Sequence, residues 1–152
     1  MSATLRQLLD QERVGVLATL SARREGWPFA SVAPYALSDS GEPVLLLSDL
    51  AEHTRNVRAD PRASLLVQAG ASRDDPQAGA RVTLLGRVVP LADEAVTVAR
   101  ERYVALHPAA AEYAALADFR LYQLEIEEAR LIGGFGDMGW LSGERLRQAL
   151  SN

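Results

Sequence analysis

With 152 residues, 48% of them apolar and 24% charged, the chain has the size and balance of one globular domain with a sizeable core. It has no cysteine, which excludes thiol catalysis, disulfide scaffolds and cysteine-held metal or iron–sulfur centres. A net charge of −4 argues against nucleic-acid binding, and none of the 16 basic residues is lysine, which excludes Schiff-base chemistry on a lysine amine.

The start carries no basic, apolar and cleavage-site pattern, and the apolar runs are only as long as buried strands. A cytoplasmic protein that does not enter a membrane is expected. Ser2 is suited to cap a helix with Leu5, Leu8 and Leu9 on one face, ending near Arg13. Val14 to Leu20 reads as a buried strand and Trp27 to Ala36 as a second, which Pro28 and Pro34 assign to an edge or to a place beside an irregularity. Ser38 to Gly41 is a turn before a third strand at Val44 to Leu47. Asp49 and Glu52 have capping-box spacing, predicting a helix that stops at Asp60-Pro61. A fourth strand follows from Ala63 to Gln68, then a loop from Gly70 to Gly79. Arg81 to Val89 is a fifth strand with a bulge or kink at Gly86. Asp93 caps a helix bearing Val96, Ala99 and Tyr103, and Pro108 opens another helical piece. The alternation of Tyr122, Leu124 and Ile126 with polar residues marks a sixth strand.

Short strands and short turns favour an antiparallel sheet over a doubly wound parallel one. The expectation is a mainly β, α+β protein: a small six-stranded barrel with flanking helices. It forms one domain, with a core at about 12–141 and a C-terminal tail at 142–152.

Three segments carry possible chemistry. Ser48 to Asn56 spans a strand-to-helix junction, where free amides, Ser48, His53, Thr54 and Arg55 could hold a phosphate; the same pattern fits a capped, solvated helix. Arg81 and Thr83 share a strand face and could bond a planar, acceptor-rich ligand, or form an ordinary half-exposed strand. Arg130 to Trp140 sets four glycines among Phe135, Met138 and Trp140, which suits either a cover for an aromatic ring system or a plain loop. There is no dinucleotide fingerprint, P-loop lysine or nucleophile elbow. Of the two histidines, His107 sits at a helix boundary and reads as structural, and no metal site is expected.

The ordered set of Gly15-Val16-Leu17-Ala18-Thr19, Gly26-Trp27-Pro28-Phe29-Ala30-Ser31, Pro34-Tyr35, Leu47 to Asn56, Asp60 to Leu65, Arg81 to Gly86, His107-Pro108, Asp118 to Tyr122 and Ala129 to Gly136 covers nearly the whole chain. In that order these pieces resemble the pyridoxamine-phosphate-oxidase-like split-barrel superfamily, and most of all its haem-utilisation (HugZ-type) branch. The resemblance implies an FMN-binding split barrel that forms a homodimer, with the cofactor at the interface. It carries the phosphate and ribityl contacts onto Ser31, Pro34, Tyr35, Ser48, His53, Thr54 and Asn56. Arg81 and Thr83 would meet the flavin ring, with Phe135 and Trp140 covering one face of it. The activity implied is a flavin-dependent oxidoreductase acting on a small molecule, with no catalytic residue assigned. The alternatives are haem binding or breakdown in the same cleft, and a non-enzymatic flavin- or partner-binding barrel. Lacking lysine, the chain is not expected to oxidise pyridoxamine phosphate. Lacking a histidine after His107, it has no late imidazole to ligate haem iron.

Overall fold

A computed structural model describes residues 2–70, 74–133 and 138–151. Helix α1 (Ser2–Gln11) leads into β1 (Val14–Leu20), β2 (Pro28–Pro34), β3 (Ala36–Leu37) and β4 (Pro43–Ser48). Helix α2 (Glu52–Ala59) precedes β5 (Arg62–Gln68) and β6 (Arg81–Pro90). A 3-10 turn at Asp93–Ala95 runs into α3 (Val96–Leu106), and a second lies at Pro108–Glu112. The chain then forms β7 (Phe119–Ile132), β8 (Met138–Ser142) and α4 (Gly143–Leu150).

All strand pairs are antiparallel, in the order β2-β1-β5-β6-β7-β4-β3, with β8 added to β7. The two ends of this path, β2 and β3, are separated in sequence by Tyr35 alone. A flat sheet cannot bring its outermost strands within one residue of each other. The sheet must therefore curl, and β2 comes against β4. This is the split barrel expected from the motifs, with eight strands instead of six. Tyr35 breaks the predicted second strand into β2 and β3. The segment beyond Arg130, expected as a loop, pairs as the end of β7 with β8.

Tyr35 is fixed on three sides. Its amide donates to the Arg13 carbonyl at 3.0 Å, and its hydroxyl donates to the Leu9 carbonyl at 2.9 Å. Its own carbonyl meets His107 Nε2 at 2.8 Å. The ring is 1% exposed, and burial pushes the phenol well above its ordinary pKa.

The core fills the barrel with Leu17, Leu45, Leu65, Leu84, Leu124 and Leu131, all fully buried. Helix α1 closes it with Leu5, Leu8 and Leu9, and α4 with Leu146 and Leu150. Both helices therefore belong to the core, although the sequence places the core at about 12–141. The helix after Asp49 ends at Asp60 as predicted, but the capping box does not form. Its cap position is Ala51, without a side-chain bond, and Asp49 pairs with Arg58 and Arg120 instead. Asp93 likewise starts a 3-10 turn and caps nothing through its side chain. The expected loop at Gly70 to Gly79 lies partly outside the described residues.

The bulge predicted at Gly86 is present as a register shift between Leu85 and Gly86. Backbone approaches so closely there that a Cβ at Gly86 would collide with the Glu125 carbonyl. Near the shift, the Ile126 backbone turns to side chains. Its amide donates to Glu42 Oε2 at 3.2 Å, and its carbonyl accepts from Arg147 Nη1 at 3.0 Å. Glu42 is 7% exposed, and burial is the largest influence holding its carboxyl above the usual range.

Tyr35→Phe removes one buried hydrogen bond and should cost about 1 kcal/mol in urea denaturation, whereas Tyr35→Ala should cost about 3–5 kcal/mol. A raised carboxyl pKa means that the folded chain binds the Glu42 proton more tightly than the unfolded chain. That contribution is complete at acidic pH and is lost as pH rises from the ordinary carboxylate range through the folded value. Glu42→Gln, which keeps an acceptor and cannot ionise, should therefore gain stability over the wild type as pH rises. Paired urea melts at mildly acidic and neutral pH read that difference.

Candidate functional site

Directly opposed residues on antiparallel strands share a sheet face. The register therefore traces one row across six strands: Val32, Val16, Leu66, Thr83, Arg130 and Trp140. The alternate residues Leu17, Leu65, Val82 and Leu131 are fully buried, so this row faces away from the core. A second row beside it holds Gln68, Arg81, Ile132 and Met138, and the pair Val14 and Pro34 continues the same face at β1 and β2. On the other flank, Ala30, Ala18, Ser64 and Leu85 present small or aliphatic groups, and the row ends in Glu128 and Ser142.

Most of the large apolar side chains exposed among the described residues lie on this face. Val32 is 70% exposed, Trp140 54%, Met138 53%, Val14 47% and Val16 40%. A contiguous apolar patch of this kind marks a binding or contact surface. Cations border it. The Arg130 guanidinium sits over the Trp140 ring, 5.6 Å from its centroid, in cation–π geometry. Arg81 is held by Nη1 donating to the Gln77 carbonyl at 2.8 Å.

The expected site residues divide into two groups. Pro34, Arg81, Thr83 and Trp140 share the outer face, and Phe135 lies outside the described residues. Ser31 pairs with the buried Leu17 and so faces the other way, toward α2. There its hydroxyl lies 3.3 Å from His53 Nδ1. Tyr35 belongs to neither group, because its hydroxyl is spent on Leu9.

Around α2, the groups expected to hold a phosphate are largely engaged within the chain. Asn56, 1% exposed, accepts from the Ala22 amide at 2.9 Å and donates to Thr19 Oγ1 at 3.0 Å. It ties α2 to the end of β1. Ser48 Oγ accepts from the Leu50 amide at 3.2 Å. Thr54 is wholly buried, and its hydroxyl finds no partner among the described residues. Burial lowers the His53 pKa, which disfavours the charged imidazole. Arg55 lies 3.6 Å from Glu52. The junction is chiefly a packing joint, and Asn56 is its clamp.

The sequence reading named none of Val14, Val16, Val32 and Leu66 as site residues and gave Arg130 no role of its own, while Met138 entered it only as part of a possible ring cover. Only cross-strand register shows that they share a face with Arg81 and Trp140. Among the described residues, no cluster of His, Asp and Glu is placed to hold a metal, and no helix is long and apolar enough to cross a membrane.

A curled antiparallel sheet with flanking helices and a bare outer face defines a split β-barrel protein. The chain belongs to the CREG, beta-barrel family, whose model matches residues 2–147. Among solved structures it is similar to a heme binding protein from Mycobacterium smegmatis, with 38% identity and a TM-score of 0.87, covering 97% of this chain and 60% of that one. It is 32% identical over 140 residues to the chloroplastic heme oxygenase HOZ of Arabidopsis thaliana, covering 92% of this chain and 42% of that protein. The chain thus spans less than two thirds of either relative. HutZ, the heme storage protein from Vibrio cholerae, shares the fold, with a TM-score of 0.71 at 19% identity and 92% of each chain covered. The two relatives above 30% identity carry haem in their names and neither carries a flavin, so the comparisons lend no support to FMN.

Replacing Asn56 by Ala leaves the Ala22 amide and the Thr19 hydroxyl without their partner. It should cost about 1–3 kcal/mol in urea denaturation. If the residue instead served a ligand, stability would be unchanged and binding would fall.

Proposed function

We propose that the chain binds haem on the outer face of its sheet, in a cleft closed by a second copy of the chain. The observation that carries this reading is the cross-strand row from Val32 to Trp140, apolar from Val32 to Leu66, with Arg130 near its far end and Arg81 in the row beside it. A porphyrin is a flat apolar disc with two carboxylates on one edge. It calls for apolar contact across the disc and guanidinium donors at the edge. Val16, Val32 and Leu66 supply the first, and Arg81 and Arg130 the second. Trp140, already stacked on Arg130, adds a ring against which the disc can lie.

One copy of this face leaves the disc half covered. An isologous dimer would lay the same apolar side chains against each other and bury the patch. The likeness to the heme binding protein extends over 97% of this chain and supports the same reading. Bound haem would supply the iron; the protein's share is to bind, orient and exclude water. The proposal concerns binding alone, because the oxygenase relative is more than twice the length matched here.

Haemin titration of the purified chain should give a shifted Soret band that saturates at a fixed haem-to-chain ratio, and sedimentation should give a dimer. Val32→Asp places a carboxylate in the contact and should yield monomer with at least about tenfold weaker haem binding. Arg130→Ala should keep the dimer and weaken haem about tenfold, as expected for one lost charge-assisted bond. No Soret shift, or a monomer that keeps full haem affinity, would end the reading. Saturable FMN binding at micromolar concentration, with no response to haemin, would restore the flavin.

A further inference from the structure

At one end of the barrel, between the C-terminal end of α2, the last residues of β6 and the first of β7, lies a cleft of about 440 Å³. Val57, Val88 and Pro90 line it with apolar surface, and Arg58, Arg120 and Tyr122 bring polar groups to it. The two arginines lean on a single carboxylate. Arg58 Nη2 lies 2.6 Å from Asp49 Oδ1, and Arg120 Nε lies 3.4 Å from the same oxygen. Arg58 Nε also donates to the Tyr122 hydroxyl at 3.2 Å. Asp49 itself does not line the cleft.

The cluster therefore carries one positive charge more than it neutralises. Its donors are also in excess. A guanidinium offers five N–H groups. Arg58 uses Nε and Nη2, and Arg120 engages Asp49 only through Nε, so its two terminal nitrogens have no partner among the described residues. The Tyr122 hydroxyl accepts from Arg58 and keeps its own proton to donate. Paired donors beside an apolar floor recognise a planar monoanion with an apolar body.

We propose that this cleft is a binding site for a small carboxylate carrying an aromatic or branched aliphatic group. It is separate from the outer sheet face and does not rest on the haem reading. The carboxylate would take the free guanidinium N–H groups and the Tyr122 hydroxyl, and its body would cover Val57, Val88 and Pro90. Asp49 acts as an internal competitor: it holds the arginines in place and spends part of their charge. Removing its charge should tighten the site, which no purely structural role for the cluster predicts.

The test uses 2-naphthoate as probe and 2-naphthamide as its neutral control, titrated into isotopically labelled full chain and followed by NMR. The expected result is saturable binding of naphthoate, with shifts at the Arg58 and Arg120 Nε–H signals and affinity at least about tenfold above the amide. Arg120→Gln should weaken naphthoate about tenfold and Asp49→Asn should tighten it severalfold. Haemin affinity should be unchanged in both, which separates this site from the outer face. Tyr122→Phe, a near-isosteric change, gives a second reading if either variant melts early, and should weaken naphthoate about three- to tenfold. Equal binding of acid and amide, no saturation by about 5 mM probe, or Asp49→Asn weakening the acid would overturn the proposal.

Discussion

The barrel depends on a single-residue connection. Strands β2 and β3 stand at opposite ends of the hydrogen-bonded order, yet only Tyr35 separates them in sequence. Everything between them, from β1 through β4, must bend far enough to satisfy that link. Tyr35 holds the bend through three partners on three segments: Leu9 at the end of α1, Arg13 before β1, and His107 after α3. Helix α1 is thereby fixed across one mouth of the barrel, which explains why Leu5, Leu8 and Leu9 are buried in the main core. His107 is committed to the same joint, packed with its ring centroid 4.7 Å from that of Tyr103.

Curling has a second cost, and it falls on β6 and β7. A long antiparallel pair cannot follow the barrel wall without an irregularity, and a bulge lets the strands turn. Gly86 permits the close backbone approach, and Glu42 and Arg147 satisfy the Ile126 backbone beside it. Arg147 belongs to α4, which packs over β7 and completes the core with Leu146 and Leu150. The last helix is thus part of the solution to sheet curvature.

Local signals revealed much of this fold. Apolar runs located β1 and β4, periodicity located α1 and the middle of β7, the prolines marked β2 as an edge or irregular strand, and Gly86 announced its bulge or kink. Longer-range competition hid the rest. Asp49 has the spacing of a cap, but two arginines from α2 and β7 draw it away, and no local pattern contains Arg120. Arg130 to Trp140 reads as a glycine loop because its glycines mask a strand pattern, although Ile132 pairs with Met138 only six residues on. The candidate site suffered most from this. Ser31 and Val32 are adjacent in sequence and lie on opposite faces, so a motif taken as a string combines residues that the sheet separates.

That separation also bears on the choice of cofactor. A flavin mononucleotide needs a phosphate cradle as well as a surface for its ring, and here the candidate cradle is largely committed. Asn56 is tied to Thr19 and Ala22, Ser48 serves its own turn, and His53 lies against Ser31 with its charged form disfavoured by burial. The outer face makes no such demand of α2. It offers a broad apolar row with arginines at one end, which matches a disc whose charges lie on one edge. The same sheet thus uses its inner face to satisfy the fold and leaves the apolar side chains of its outer face uncovered. On the haem proposal the ligand needs only that outer face, whereas a flavin would also have to be held at α2.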